Sequence, residues 1–334
     1  MSRSLRRLIP AALALALLAP VGFARGGLLT QDPCPGRATT PAVWKKLGTN
    51  VLENLLFADG ALWVSDSTAG AVVRIRPNRS VDEKGSLHDI APGGLAVGPD
   101  GLIYAGNGNS ILNALLRIPG SSVVRFDPAA PDATRATYAD GFTMANGMTF
   151  GPGGDLFISN DFDHGLIRIP RANPAAWSLL ADVWGTNGLV VDPDGENLYA
   201  AITFDQRSPI ERIPLDDPAA HTTAAVLTMG VLSLEPRVYP NPDVSKPLLG
   251  VKGLDDMTRD ADGFLYPVAN GLGELLRVDP VTGDACLVAS GFQNPSSVRI
   301  APPGSPFDIS GEELTFFVVE FSGAIRVVGY TPAG

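Results

Sequence analysis

Four residues, Glu53, Asn146, Asn187 and Asp255, each open a similar short segment: an apolar run, a tight turn and a second apolar run. The segment is plainest at Asn187, where Asn-Gly-Leu-Val-Val leads to Asp-Pro-Asp-Gly and then to Asn-Leu-Tyr-Ala-Ala. Asp-Gly between two such runs signals a β-hairpin, because Gly accepts the positive φ of the turn. Gly93 and Ser296 open two more copies. If the copies are equivalent by rotation, their opening residues form one ring, and carboxylate and amide oxygens converge on its axis. Such mixed oxygen donors suit Ca2+ or another hard divalent cation. Glu53 and Asp255 would balance the charge, with Asn146, Asn187 and water completing the shell. A chain with three histidines, none at these positions, disfavours zinc. Asn-Gly and Asp-Asp are also ordinary turn pairs, so each position alone carries little weight. Their shared register carries more.

The repeat determines the fold. A third strand follows each hairpin and carries an Arg, flanked by apolar residues at Arg74, Arg125, Arg168, Arg277 and Arg326 and by Glu211 and Ile213 at Arg212. The hairpins recur at a spacing of about 40 residues, with two longer steps, which is propeller spacing. An all-β, six-bladed β-propeller of four-stranded antiparallel blades is expected. The long steps are read as insertions, one near Ile111 to Ser121 and one from Met229 to Gly250. The second reads as a loop, and as a lid over one face. The last blade runs out of chain after its third strand, so Ala42 to Leu47 is expected to supply its outer strand and close the ring. Closure removes exposed sheet edges. Cys34 and Cys286 then lie at the seam, where an oxidising compartment would let them pair; otherwise they are two free thiols.

Composition agrees with this reading. In 334 residues, 45% hydrophobic and 18% charged, there is ample material for one large core. Abundant Gly and Pro with regular apolar runs indicate many short strands and turns. A net charge of -10 argues against nucleic acid as a partner. Arg3, Arg6 and Arg7 followed by the apolar run Leu8 to Ala24 read as a secretory signal over residues 1–24, or as a retained anchor if it is not cleaved. Residues 25–334 are expected to form a single domain, secreted or periplasmic, monomeric, with no membrane span after cleavage.

The motifs around Glu53, Asn146-Gly147, Asn187-Gly188-Leu189 and Leu254-Asp255-Asp256-Met257 resemble those of the senescence marker protein/gluconolactonase family, which includes regucalcin. The resemblance covers roughly residues 45 to 330 and implies a six-bladed propeller with calcium or another divalent ion on its axis. It implies Glu53, Asn187 and Asp255 as metal ligands, Asn146 as a ligand or substrate contact, and Asp255 as the catalytic carboxylate. Sugar-lactone members usually show Arg and then Asn-Asp at the third blade. Here Met144-Ala145-Asn146-Gly147 lacks both the Arg and the second acid, and Phe142, Met144 and Phe204 suggest a less polar substrate. The expected activity is metal-assisted hydrolysis of a small ester or lactone, with Asp255 or Asp256 activating water or attacking directly. No Gly-x-Ser-x-Gly elbow or phosphate loop is present. Asp66, Asn107, Asn160, Asp161, Asp205 and Asn270 are expected in loops on the same face, with His164 at the rim. Two other readings remain: a binding scaffold with structural calcium, and a metal-independent propeller of the lyase or strictosidine-synthase type.

Overall fold

The computed structural model describes residues 31–205, 207–227 and 252–333. Residues 1–24, expected to be a signal, and 229–250, expected to be a loop insertion, lie outside the described residues. The strands form six antiparallel sheets arranged as propeller blades, and within each the chain runs outward, every strand pairing with the next. Blade 2 is typical, with strands Pro92–Val97, Ile103–Asn107, Ser121–Phe126 and Ala136–Phe142. The expected hairpins are present. Gly60, Gly101, Gly154, Gly195 and Gly263, at the turns between first and second strands, have φ from 65° to 92°. Only glycine adopts that region without strain.

In blade 1 the first three strands, Leu52–Ala58, Ala61–Asp66 and Ala71–Ile75, are regular. The outer place is held by isolated bridges from Val81 and Leu87 to the third strand. Blade 6 combines Pro295–Ile300, Leu314–Glu320 and Ala324–Pro332 with an outer strand from the N-terminal side. Ala42–Lys46 pairs with residues 324–327 and Gly36–Ala38 with residues 330–332. The ring is therefore closed as the missing sixth-blade strand required.

Each blade packs both faces against its neighbours, so six separate apolar clusters form rather than one central core. Second strands are consequently largely apolar, and Ala61–Asp66 and Asn197–Ile202 are buried at every residue. Trp44 of the closing strand enters the cluster between blades 1 and 6, against Phe317 at 5.2 Å. Three of the third-strand arginines reach back to the hairpin, whereas Arg326 meets Glu320 at the other end of its blade. Arg74 meets Asp59 at 2.9 Å, Arg168 Nε meets Asp155 at 2.7 Å and Arg212 Nε meets Asn197 at 2.9 Å. They tie strand to turn on the face opposite the candidate site.

Cys34 and Cys286 are bonded. The segment beside Cys34 also pairs with the outer strand of blade 5, through Cys34 N–H to Leu287 O at 2.8 Å and Leu287 N–H to Asp32 O at 2.7 Å. A crosslink spanning 252 residues would by chain entropy alone stabilise the fold by about 5 kcal/mol. Strand pairing at residues 36–46 already closes nearly the same loop. We therefore expect Cys34→Ser to lower stability by about 2 kcal/mol, measured by denaturant melts with and without reductant. An unchanged midpoint would show that the strands alone hold the seam. Among the described residues no helix is long and apolar enough to cross a membrane.

Candidate functional site

Backbone geometry brings the opening residues together. In five blades the pairing of first and second strands breaks at the start of the first strand: between Leu52 and Leu55, Pro92 and Leu95, Thr186 and Leu189, Leu254 and Met257, and Pro295 and Ser297. Such irregularities release residues from the ladder and re-aim their side chains. They free Glu53-Asn54, Gly93-Gly94, Asn187-Gly188, Asp255-Asp256 and Ser296. In blade 3 the first strand begins later, at Met148, and Asn146-Gly147 precedes it.

The second residue of each pair has a separate task. A Cβ on Gly94 would lie 2.0 Å from the Asn146 carbonyl oxygen, one on Gly147 2.2 Å from that of Asn187, and one on Gly188 2.7 Å from that of Asp255. None of these glycines has a positive φ. Asn-Gly is here a requirement of close blade-to-blade approach, not of a turn. We expect Gly94→Ala to cost about 3 kcal/mol by urea denaturation, since backbone on the neighbouring blade cannot move aside. A cost under about 1 kcal/mol would show the ring to be more compliant than this.

On the other half of the ring the second position is polar. Asp256 Oδ2 accepts from Asn54 Nδ2 at 2.9 Å, from Ser297 Oγ at 2.5 Å and from Arg299 Nη1 at 2.5 Å, while Oδ1 accepts from Met257 N–H at 2.8 Å. This carboxylate joins blades 5, 6 and 1, with both oxygens engaged.

Asp255 receives Asn187 Nδ2 on Oδ1 at 3.0 Å and Asn270 Nδ2 on Oδ2 at 3.2 Å. Asn187 also donates to Thr203 Oγ1 at 3.1 Å. Asn146 Oδ1 accepts from Asn109 Nδ2 at 3.3 Å, and the Asn146 amide favours the ionised form of the Asp161 carboxyl. Glu53 is half-buried and accepts no hydrogen bond from a described residue. The acids sense one another. Burial, then Asp161 and Asp256, push Glu53 up to about 8. Burial raises Asp161 to about 7, against the opposing effect of its own backbone N–H and Asn146. Asp255 is raised well above the ordinary carboxylate range by burial, then by Glu53, Asp161 and Asp256.

Glu53, Asn146, Asn187 and Asp255 thus share one end of the channel with Asp161, Asn109 and Asn270. Asp161 supplies the third blade's acid from the loop after the second strand. The sequence showed it only as one of many loop carboxylates, and Asn109 carried no signal at all. Of the other loop residues, Asp66 caps its own turn through Ala69 N–H, and Asn107 accepts from Ala91 N–H. Asn160 donates to Thr143 and Asp205 pairs with Arg207. His164 meets Asp182 at 2.6 Å on the rim. Phe142 and Met144 are core residues rather than pocket walls; Phe204 is half-buried against Phe162 and Trp184. A cavity of about 750 Å³ opens at the other end of the channel. Leu56, Leu95, Met148, Val190, Met257 and Arg299 line it, and Glu53, Asn146, Asp161, Asn187 and Asp255 are not part of that lining.

The donors gathered here are all oxygens, the kind that hard divalent cations take. The buried oxygens Asn109 Oδ1 and Asp161 Oδ1 have no hydrogen-bond partner, a costly arrangement unless something else satisfies them. Among the described residues no three His, Cys, Asp or Glu side chains are arranged to hold a metal by themselves. An ion here would therefore depend on amide oxygens and water beside the acids, as calcium permits.

The sequence matches no protein-family model and no curated protein. Solved structures do share the fold. A gluconolactonase from Xanthomonas campestris is 15% identical over 92% of this chain and 99% of its own, with a TM-score of 0.61. The calcium-binding protein regucalcin from Agrobacterium tumefaciens is 15% identical over 91% and 97%, with a TM-score of 0.62. Virginiamycin B lyase from Staphylococcus aureus is 14% identical over 88% and 99%, with a TM-score of 0.53. The chain is thus a six-bladed propeller whose structural neighbours include gluconolactonase and regucalcin. At these identities the likeness establishes architecture only.

Proposed function

We propose that the protein is a divalent-cation-dependent hydrolase of small esters or lactones, with Ca2+ the best-fitting ion. The observation carrying this reading is the convergence of Glu53, Asp161 and Asp255 with amides, where Asp161 Oδ1 and Asn109 Oδ1 are buried without partners. Glu53, Asn146, Asn187 and Asp255 are the proposed ligands, joined by Asp161. A cation bound there supplies Lewis-acid polarisation of the substrate carbonyl. Asp255 is the catalytic carboxylate, held in place by Asn187 and Asn270. As a base it takes a proton from the attacking water, and the ester C–O bond then breaks to an acid and an alcohol. As a nucleophile it forms an acyl-enzyme that water hydrolyses. The nucleophilic route expels the alcohol and leaves a mixed anhydride; 18O in Asp255 after a single turnover in labelled water would establish that route with water attacking the Asp255 carboxyl carbon, and trapping the anhydride with hydroxylamine tests it where water attacks the substrate acyl carbon instead. Asp256, wholly engaged in joining blades, positions its neighbour. Asn146 orients Asp161 and the substrate side of the site.

We also propose export: residues 1–24 direct secretion or passage to a periplasm, and 25–334 act as one monomeric domain. The Cys34–Cys286 bond supports an oxidising destination. The test of the activity is an assay of metal-stripped protein on a panel of aryl esters and lactones, with and without Ca2+. Turnover restored by calcium is expected. Tight calcium binding without turnover would favour a scaffold. Turnover indifferent to chelator would favour a metal-independent propeller.

A further inference from the structure

Three aromatic side chains lie beside the candidate site without belonging to any of the six core clusters: Phe162, Trp184 and Phe204. All are half-buried. Phe204 stacks on Phe162 with ring centroids 5.0 Å apart and on Trp184 at 6.2 Å. Each is close in sequence to a site residue. Phe162 follows Asp161, Phe204 follows Thr203, the partner of Asn187, and Trp184 stands three residues before Asn187. The site's own loops therefore carry an apolar wall on blades 3 and 4.

Blade 2 extends it. Asn109, which touches Asn146, begins the loop that holds the helix Ile111–Leu115. Leu112, Leu115, Leu116 and Ile118 are all exposed there. Arg117 bonds Asp163 at 3.1 Å, fastening this loop to the one bearing Asp161 and Phe162. Exposed apolar groups gathered at a functional mouth mark a contact surface. The charged groups around them are paired elsewhere: Asp163 with Arg117, His164 with Asp182, and Asp205 with Arg207. A polyhydroxylated substrate needs polar partners for each hydroxyl, and this wall offers rings instead.

We infer that Phe162, Trp184 and Phe204 form a specificity wall for an aryl-sized apolar group on the substrate, so that the preferred substrates are aryl-bearing esters or lactones rather than sugar lactones. This rests on the hydrolase reading of the same site. The test holds the reacting ring constant. δ-Valerolactone is compared with the same lactone carrying a phenyl substituent, using the full-chain protein with Ca2+. The phenyl lactone is expected to show at least a tenfold higher kcat/KM, carried mainly by KM. Phe204→Ala and Trp184→Ala should each reduce that ratio about tenfold, and Phe204→Leu should restore much of it. Unaltered melting temperature and calcium affinity would show that the variants fold.

If chelator fails to abolish turnover of the plain lactone, the hydrolase reading falls. If chelator abolishes it but the phenyl ratio is near one, or is unmoved by both alanine variants, the wall is not a specificity element and this inference alone falls. Tryptophan fluorescence titrated with the phenyl lactone reads binding even without turnover; no saturable quenching, or none lost in Trp184→Phe, would overturn it equally. Sedimentation with phosphatidylcholine vesicles that depends on Phe204, alongside an unmoved ratio, would assign the wall to a lipid surface instead.

Discussion

Asp255→Asn is expected to lower kcat/KM for ester or lactone hydrolysis by about 10³, some 4 kcal/mol of transition-state stabilisation. The substitution keeps the shape and removes the charge. Asp255 now takes one amide N–H on each oxygen, from Asn187 and Asn270. An Asn there offers one oxygen and one NH2, so one of those amides must turn away. The variant loses the anionic oxygen that serves as base or nucleophile and one formal charge of the cation site. It should nevertheless fold. Glu53 and Asp161 both raise the Asp255 carboxyl, so removing its charge relieves repulsion in the absence of metal. A melt in chelator should show the variant at least as stable as the parent, and calorimetry should show calcium affinity reduced at least tenfold. Hydrolysis within tenfold of the parent would remove Asp255 from the mechanism.

The ring was legible in the sequence because its physical cause is local and repeated. Hairpin turns need Gly, strands packed on both faces need apolar runs, and these requirements recur blade by blade. The seam followed from counting strands: a last blade one strand short had to borrow Ala42–Lys46, and Cys34 with Cys286 then lay together. The positions of Glu53, Asn187 and Asp255 were legible for the same reason, since register survives in the repeat. Asp161 was legible only as one of six loop residues expected on that face, and Asn109 not at all. They come from loops of different length and shape, where no repeat fixes which residue turns inward. Asp256 shows a different limit. Its sequence neighbourhood matches a catalytic acid as well as a structural one, and only Asn54 and Arg299, far away in the chain, reveal how its oxygens are spent. Asn-Gly at residues 146–147 and 187–188 looked like turn chemistry, yet the carbonyl of the next blade is what forbids a Cβ. Phe142 and Met144 resembled pocket residues because a β-strand end does not declare which side of the sheet it faces.

Calcium should stabilise the protein strongly at pH 8 and weakly at pH 5, while the metal-free protein should follow the opposite trend. In chelator, Glu53 titrates near 8 and Asp161 near 7 in the folded chain, with Asp255 also raised; in the unfolded chain all three titrate near 4. Between roughly pH 4 and pH 8 the native state therefore holds protons that the unfolded chain has released. The unfolded state binds fewer protons, so stability falls as pH rises through that window. Asp82 and Asp132 are shifted downward, so their contribution is lost only below about pH 4 and does not mask the effect. A divalent cation reverses the balance. It requires deprotonated carboxylates, competes with their protons, and removes the repulsion that otherwise grows with pH. At pH 8 and a calcium concentration near a thousand times Kd, the linkage is worth about 4 kcal/mol, or a rise in Tm of about 6 °C. At pH 5 the same calcium must displace protons, and less than a third of that rise is expected. Thermal melts at both pH values, in chelator and in calcium, measure the four quantities, and Glu53→Gln should flatten the metal-free pH dependence. A metal-free Tm that climbs between pH 5 and pH 8, or a calcium shift equal at both, would mean that these carboxylates do not meet around a cation.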